Sequence, residues 1–190
     1  MTDDLFEFGA ETVDRAAPVV HDFDTSLALS HVHADAPWWL DVYRRAFPDL
    51  AAAVNVRSDG WAQRGGIDRV LTLASGKSLT IDEKVRDKDW PDFCLEYLSD
   101  VERQTRGWVA KDLACDFIAY AFVPSSRCYL LPFQSLRRAW RINHRAWVGQ
   151  YRRVDAQNRT YVTRSVAVPI PIVLRALGDA MCVDWRSEAA

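Results

Sequence analysis

Two short runs rich in β-branched and apolar residues, 66–73 and 78–86, lie on either side of an Ala-Ser-Gly-Lys segment at 74–77. Short runs of this composition, joined by a link that contains glycine, are typical of a β-hairpin. The pattern therefore predicts two antiparallel strands that fold back on each other about Ser75.

The hairpin brings charged residues together. Side chains alternate between the two faces of a strand, so Asp82 and Lys84 share one face and Glu83 points to the other. A hairpin folded about Ser75 places Asp68 directly opposite Asp82, with Cβ atoms roughly 5 Å apart. Two carboxylates and a lysine then meet on one patch. The competing interpretation is an ordinary surface ion pair on an exposed hairpin face.

A helix is predicted before the hairpin. Asp35 is a candidate N-cap and Pro37 falls in the first turn, while Pro48 would end the helix. The apolar residues at helical spacing are Trp39, Val42, Tyr43, Ala46 and Phe47.

After the hairpin, the apolar pattern predicts a third strand at 93–98, a short helix at 108–113, a strand buried on both faces at 117–123, a strand at 128–133 with its proline near an end, and a long helix from Ser135 to Tyr151.

Length and composition fit one globular domain. The chain has 190 residues, of which 49% are hydrophobic and 26% charged, enough to bury a sizeable core. We divide it into an acidic N-terminal segment (1–34), a core (35–150) and a C-terminal extension (151–190). The extension holds an apolar, proline-punctuated stretch at 166–174, expected to dock on the core before a short helix through Met181.

The four cysteines are widely spaced and read as free thiols of a reducing, cytoplasmic compartment, not as a disulfide frame or a zinc site. The acidic N-terminus does not resemble a signal peptide, and no apolar run approaches the length of a membrane span. The pair His31 and His33 has no third ligand at metal spacing. Glycine-rich phosphate loops and an assignable Ser/His/Asp triad are also absent from the sequence.

Charge is unevenly distributed. The first 50 residues carry ten Asp or Glu and three Arg, whereas residues 101–165 carry twelve Lys or Arg and four Asp or Glu. Such polarity can steer a polyanion to one side of a protein whose net charge is only -2. The predicted long helix carries the candidates for contacts with backbone phosphates, which are Arg137, Arg138, Arg141, His144 and Arg145. The alternative is an arginine face that is only exposed to solvent. Beside it lies an apolar stripe, which is more typical of a packed core than of a surface that stacks on bases, and it consists of Leu136, Trp140, Trp147 and Tyr151.

Paired carboxylates need a raised pKa or a bound cation to offset their repulsion. Mg²⁺ takes one or two carboxylates and completes its coordination with water and phosphate oxygens, and Mn²⁺ is the usual substitute. A metal held in this way polarises a phosphoryl oxygen and lowers the pKa of its bound water. The pattern therefore indicates metal-assisted phosphodiester hydrolysis, with Asp68 and Asp82 as ligands and Lys84 acting on the water.

Asp68 followed by Asp82-x-Lys84 on the next strand resembles the active-site signature of the PD-(D/E)xK nuclease superfamily. Residues 63–68, Gln-Arg-Gly-Gly-Ile-Asp, also resemble the Gln-x-x-Gly-Ile-Asp lead into the first strand of some phage-type and bacterial members. Ile67 stands where the literal motif has proline. The resemblance covers about residues 35–145. It implies an α/β fold with a restriction-endonuclease-like core: a mixed central sheet flanked by helices in αβββαβ order.

The resemblance also implies further site residues. The family usually adds an acid from the first helix, for which Asp41 is our choice and Asp49 the alternative, although a solvated helix carboxylate fits either. The backbone carbonyl of Glu83 is an implied metal ligand, and the alternative is a partly buried glutamate that only pairs with Arg69 across the hairpin. Glu96 either supports Lys84 or is a strand-end charge. Gln63 either orders water or phosphate or is a turn residue without a role.

The sequence thus predicts a Mg²⁺- or Mn²⁺-dependent endonuclease acting on nucleic acid, with DNA preferred over RNA, and with no membrane partner. By resemblance the products carry a 5′-phosphate and a 3′-hydroxyl, a homodimer is one arrangement, and the origin is phage-like. Two alternatives stay open. One is a non-cleaving nucleic-acid-binding protein of the same fold. The other is a protein-interaction or inhibitor module whose acidic N-terminal segment mimics nucleic acid.

Overall fold

A computed structural model of the chain describes residues 21–22, 33 and 35–186, so all but three residues of the acidic segment 1–34 lie outside the described part. The described strands are β1 (His21–Asp22), β2 (Leu50–Asn55), β3 (Arg69–Leu73), β4 (Ser78–Arg86), β5 (Asp92–Asp100), β6 (Thr105–Arg106), β7 (Phe117–Phe122), β8 (Arg127–Pro132), β9 (Arg152–Gln157), β10 (Val162–Pro169) and β11 (Met181–Asp184). The described part of the chain includes the helices α1 (Trp38–Ala46), α2 (Gly60–Gly65), α3 (Phe133–Gln150) and α4 (Ile170–Leu177).

The strands form two sheets. One has six strands in the order β11-β8-β7-β4-β3-β2, in which only the β4–β7 pair is parallel. The other has five strands in the order β1-β9-β10-β5-β6, in which only β1–β9 is parallel. The mixed sheets and their helices confirm the predicted α/β class.

The predicted hairpin is confirmed, together with its register. Arg69 pairs with Ile81 and Thr72 with Ser78, a register that continues to Asp68 opposite Asp82. The backbone N–H of Asp68 donates to the Ile81 carbonyl at 2.8 Å. The turn includes Gly76 at φ +82°, in the left-handed region that glycine enters without strain.

Strand β4 separates two environments. Its register with β7 sets Asp82 beside Ile118 and Lys84 beside Tyr120, and both of these β7 residues belong to a core shared with β5, β10 and α3, here called the inner core. Ile81 faces the opposite way, into a second cluster shared with α1, here called the outer core. The alternation predicted for Asp82, Lys84 and Glu83 therefore places the first two toward the five-stranded sheet and the third toward α1.

Helix α1 confirms the predicted apolar stripe, since Trp39, Val42, Tyr43 and Ala46 are all buried. Its cap differs from the prediction. The N-cap is Pro37, without a side-chain cap bond, and the Asp35 carboxylate accepts a hydrogen bond from Asn55 Nδ2 at 2.7 Å instead. The Asp35 side chain, which the local pattern assigns to the helix cap, thus bonds to a residue of β2 instead.

The predicted third strand exists as β5, but it pairs with β10 in the other sheet. The strand that actually extends the hairpin is β2, on the far side of β3. The short helix predicted at 108–113 is wrong, because residues 108–110 form a turn and no helix follows through residue 113. Its backbone is tied to β5 by bonds from Gly107 N to Tyr97 O at 2.8 Å and from Val109 N to Glu96 O at 3.2 Å.

Helix α3 confirms the long predicted helix to within about two residues. Leu136, Trp140 and Trp147 are buried in the inner core, so this stripe is core. Beyond it, residues 152–184 supply strands to both sheets. The prediction of a terminal helix through Met181 is wrong at its end, because α4 stops at Leu177 and Met181 begins β11.

Candidate active site

A cleft of about 710 Å³ lies along β4 and is lined by both sheets. Strand β4 and the segment before β3, from Arg57 to Asp68, provide one side, and β5, β9 and β10 provide the other. The charged residues that line it are Arg57, Arg64, Asp68, Asp82, Glu83, Lys84, Arg86, Asp87, Lys88, Glu96 and Lys111. Asp68, Asp82 and Lys84, the three residues predicted to carry the chemistry, are thus brought together.

Local structure explains how Asp68 reaches the cleft. Asp59 caps α2 by accepting from the N–H groups of Trp61 and Ala62, and Gly66 ends the helix in the left-handed region at φ +66°. The chain then turns into β3 through the buried Ile67. The Asp68 carboxylate, 25% exposed, accepts the backbone N–H of Glu83 at 2.7 Å. This bond fixes the carboxylate beside β4.

Lys84 forms an ion pair within the site. Its Nζ lies 2.5 Å from Oδ1 of Asp82, and the two side chains are 30% and 5% exposed. The same Nζ lies 5.6 Å from the centre of the Trp108 ring, within reach of a cation–π contact. The aromatic ring and the carboxylate together hold the lysine at the wall of the cleft.

Burial raises the pKa of Asp82 to about 6, with the charge of Asp68 adding to the rise and Lys84 opposing it. Burial alone would lower the pKa of Lys84, but Asp82 and Asp68 outweigh it, so that pKa lies above its usual value. Lys84 is therefore an ammonium group at neutral pH. In this state it donates hydrogen bonds and cannot accept a proton.

The Glu83 side chain is enclosed on the opposite face of β4. Its Oε1 accepts from the Tyr43 hydroxyl at 2.7 Å and from Arg69 Nε at 2.6 Å, which confirms the predicted pairing with Arg69. Its Oε2 accepts from Arg57 at 2.9 Å, and the same Arg57 nitrogen lies 3.4 Å from Oδ2 of Asp68. Arg57 thus links the two faces at the start of the hairpin. The sequence gives no local signal for this role, because Arg57 lies in a loop outside both strands.

The structure does not bring the first-helix acid to the site, which corrects that expectation. Asp41 is exposed on α1, and α1 packs on the outer core, on the Glu83 side of β4. Asp49 is exposed as well, and its carbonyl accepts from Ala74 N, at the turn end of the hairpin and away from Asp68. Both belong among ordinary solvated carboxylates.

Glu96 and Gln63 line the cleft. Glu96 lies in the middle of β5, so the strand-end interpretation is wrong. Burial raises the pKa of Glu96, and the nearby charges of Lys84 and Lys111 oppose the rise. Gln63 is exposed on α2 at the rim of the cleft.

None of the four arginines predicted for phosphate contacts lines the cleft. Arg137 forms an ion pair with Asp112 at 2.5 Å, and Arg138, Arg141 and Arg145 are exposed on α3. The cations that do line the cleft beside Lys84 are Arg57, Arg64, Arg86, Lys88 and Lys111, which the sequence pattern did not single out.

The donor set fits a hard divalent cation, since Asp68 and Asp82 repel each other and Mg²⁺ binds with as few as one or two carboxylates. Across the described ranges, no three His, Cys, Asp or Glu side chains are grouped as metal ligands. His31 lies outside those ranges, and the carbonyl of His33 accepts from the Trp39 indole at 2.9 Å. The four cysteines are free, and two of them, Cys115 and Cys128, are buried.

Comparison with known proteins gives no further guide to the site: no protein-family model, curated protein or solved structure matches this chain. No helix in the described part of the chain is long and apolar enough to cross a membrane.

Proposed function

We propose that the protein is a metal-dependent endonuclease that hydrolyses phosphodiester bonds, with DNA as its substrate. The observation that carries the proposal is the placement of Asp68, Asp82 and Lys84 within one cleft lined by five further cations. Paired carboxylates bind a divalent metal, a lysine stabilises developing negative charge, and surrounding cations attract a polyanion.

The order of elements supports a restriction-endonuclease-like core as the finer fold. A helix, α1, precedes three strands of one sheet, β2 to β4, and the two acids stand at the start of the second strand and on the third. Strand β7 then pairs parallel to β4. The crossover between them contains β5, β6 and turns where the expected order has a helix, so the agreement extends to the strands and the first helix only.

In this proposal the carboxylates of Asp68 and Asp82 hold the metal. The N–H of Glu83 donates to Asp68, so its carbonyl points to the same edge of β4, where it would add a ligand. A bound Mg²⁺ or Mn²⁺ would polarise the scissile phosphate and supply an acidified water. The protein's own part is to hold the two carboxylates in register on one wall of the cleft, with the five-stranded sheet as the opposite wall.

Lys84 acts as an ammonium group. Its raised pKa suits it to donate a hydrogen bond to a phosphate oxygen or to the attacking water, and to neutralise charge that develops on the phosphate. It does not serve as the general base while it carries its proton. Of the two roles that the sequence allows Lys84, orienting the water or helping to deprotonate it, the ammonium state favours the first.

Cleavage of supercoiled plasmid and of a labelled branched substrate in Mg²⁺, Mn²⁺ or EDTA tests the proposal. Lys84→Ala and Asp82→Asn should each lose about 100-fold or more in rate. The matched controls are Lys77→Ala, an exposed lysine on the same hairpin, and Asp41→Asn, an exposed acid on α1; both should cut like wild type. Cleavage that survives in Lys84→Ala and Asp82→Asn, or that persists in EDTA, would refute the site assignment.

One observation favours the non-cleaving nucleic-acid-binding protein as a second candidate. The carboxylate of Asp82 is already paired with Lys84, and the described residues hold no three-side-chain metal cluster. Isothermal titration with Mn²⁺ separates the two candidates, because the enzyme must bind the metal through Asp68 and Asp82. The inhibitor alternative depends on segment 1–34, and deletion of that segment tests it through the loss of partner binding.

A further inference from the structure

The depth of the candidate site limits the substrates that reach it. Asp82 is only 5% exposed, and Glu96, Thr163 and Ser165 of the five-stranded sheet line the cleft together with it. A volume of about 710 Å³ is that of a pocket for a single small ligand. A duplex, whose major groove alone is about 12 Å wide, does not enter such a space. One unpaired strand does, if a nucleotide or two occupies the cleft.

A row of cations leads away from Asp82 along the cleft. Lys84 and Arg86 occupy alternate positions of β4, about 6.6 Å apart on one face, and Lys88 lines the cleft just beyond the strand. Arg86 and Lys88 form no ion pair with any carboxylate among the described residues. The ammonium group of Lys84 is paired with Asp82 but has two further N–H donors, so the three cations can meet consecutive phosphates of an extended strand.

Tryptophans accompany this row. Trp108 lies beside Lys84, and Trp90 lines the cleft beyond Arg86. Trp61 is 70% exposed on α2, three positions before the cleft residue Arg64, so the two side chains are neighbours. Trp61 belongs to neither core cluster and makes no ring contact with a described residue. A large exposed indole beside a cationic rim is suited to stack on a base.

We infer that the cleft takes a single unpaired nucleic-acid strand, with phosphates along Lys84, Arg86 and Lys88 and a base stacked on Trp61 at the rim. This inference rests on the proposed nuclease function for its biological sense, and it narrows the substrate from nucleic acid in general to unpaired segments. Stacking accepts any base and both sugars, so the selectivity is for strandedness and not for sequence.

Binding without cleavage tests it. Fluorescence anisotropy in EDTA compares a labelled 12-nucleotide DNA strand, the RNA strand of the same sequence, and the DNA duplex. Wild type should bind the single strands at least tenfold more tightly than the duplex. Trp61→Ala should weaken single-strand binding at least fivefold, the low end of the range for one stacked base. Ile142→Ala, which alters a side chain also 70% exposed but on α3, should leave binding unchanged.

The cation row has its own matched pair. Lys88→Ala should reduce the slope of log affinity against log salt for the single strand by about 0.7, the value of one phosphate contact. Lys77→Ala, an exposed lysine at the turn end of the same hairpin, should leave that slope as in wild type.

The outcomes separate this inference from the nuclease proposal. Single-strand binding that depends on Trp61 but brings no cleavage in Mn²⁺ supports the inference and rejects the nuclease. Lys84-dependent cleavage of duplex as fast as of single strand supports the nuclease and overturns the inference. Duplex bound as tightly as single strand, no binding to either, or Trp61→Ala behaving as wild type would each overturn it as well. DNA bound in preference to RNA, or the reverse, identifies the natural strand while supporting the inference.

Discussion

Glu83 and Asp82 are adjacent on β4, both buried and both ionisable, yet their surroundings differ completely. Glu83 meets a hydroxyl and two guanidinium groups, from Tyr43, Arg57 and Arg69, at 2.6 to 2.9 Å. Asp82 has a single partner of this kind, Lys84, and its pKa is raised by burial and by the facing Asp68. One strand thus carries a fully neutralised carboxylate on one face and an under-compensated one on the other.

The difference separates a structural acid from a candidate chemical one. A buried carboxylate that accepts three hydrogen bonds, two of them from guanidinium groups, already has its charge balanced and gains little from a further cation. A buried carboxylate with a raised pKa gains from any further cation, which is the condition for binding a metal. Asp82, Glu83 and Lys84 are consecutive in the sequence, but in the fold Asp82 and Lys84 face the cleft whereas Glu83 is enclosed on the opposite face of β4.

The largest effect should come from removing the neutralised charge. Glu83→Gln leaves Arg57 and Arg69 half-buried beside a neutral amide, so the free energy of unfolding should fall by about 3 kcal/mol. Asp82→Asn should change it by less than about 1 kcal/mol, because burial raises the pKa of Asp82 and so disfavours its ionised form at pH 7, and because Asp68 and Glu96 still face Lys84. Urea denaturation in EDTA at pH 7 measures both. Equal losses in the two variants would contradict the contrast between the faces.

Tyr43→Phe should have the next largest effect. It removes the hydroxyl that donates to Glu83 without changing the packing of α1, so the unfolding free energy should fall by about 2 kcal/mol. Urea denaturation again measures the loss. In the Glu83→Gln background the same substitution should cost clearly less, because its charged acceptor is gone, and full additivity would show that the charge of Glu83 adds nothing to the bond.

The pH dependence of Mn²⁺ binding tests the other face. A cation needs the ionised carboxylate, and the raised pKa of Asp82 means that protons compete with the metal below about pH 6. Affinity should therefore be level above pH 7 and fall up to tenfold per pH unit below pH 6, where an unperturbed aspartate would hold its level to about pH 4. Calorimetric titrations between pH 5 and 8 follow this change. Asp41→Asn should keep this pH dependence, and Asp82→Asn should abolish it.

The smallest effects are expected at Asp41 and Asp49, the two exposed acids that lie away from the cleft. Asp41→Asn and Asp49→Asn should each change unfolding free energy by less than about 0.5 kcal/mol and leave Mn²⁺ affinity within a factor of two. Urea denaturation and metal titration measure both. A tenfold loss of metal affinity in Asp41→Asn would restore the first-helix acid to the site and contradict the packing of α1 against Glu83.

The sequence was sufficient for the hairpin because its determinants are local. Alternation fixes which side chains share a face, and the glycine-containing turn fixes the register that sets Asp68 opposite Asp82. The pairing of Glu83 with Arg69 follows from the same register. The stripes of α1 and α3 were predictable for the equivalent reason, a helical period within one segment.

The missing parts depend on contacts between distant segments. Nothing near residues 92–100 indicates that β5 pairs with β10, about seventy residues further on, and this pairing moves Glu96 to the opposite wall of the cleft. The turn that begins at Trp108 is tied to β5 by Gly107, where a Cβ atom would overlap the Glu96 carbonyl oxygen. Arg57 is likewise recruited through space. Each case is a tertiary contact that overrides local preference.

The alternation along β4 has a consequence for how the chain can vary in length. A deletion of one residue between Ile81 and Arg86 would reverse the parity of everything beyond it, sending a lysine toward α1 and an apolar side chain into the cleft. A deletion of two residues would shorten the strand but return each remaining side chain to its own face. Sequences that keep Asp82 and Lys84 facing the cleft should therefore tolerate changes of length here only in even steps, and odd changes should survive only in the turn at 74–77.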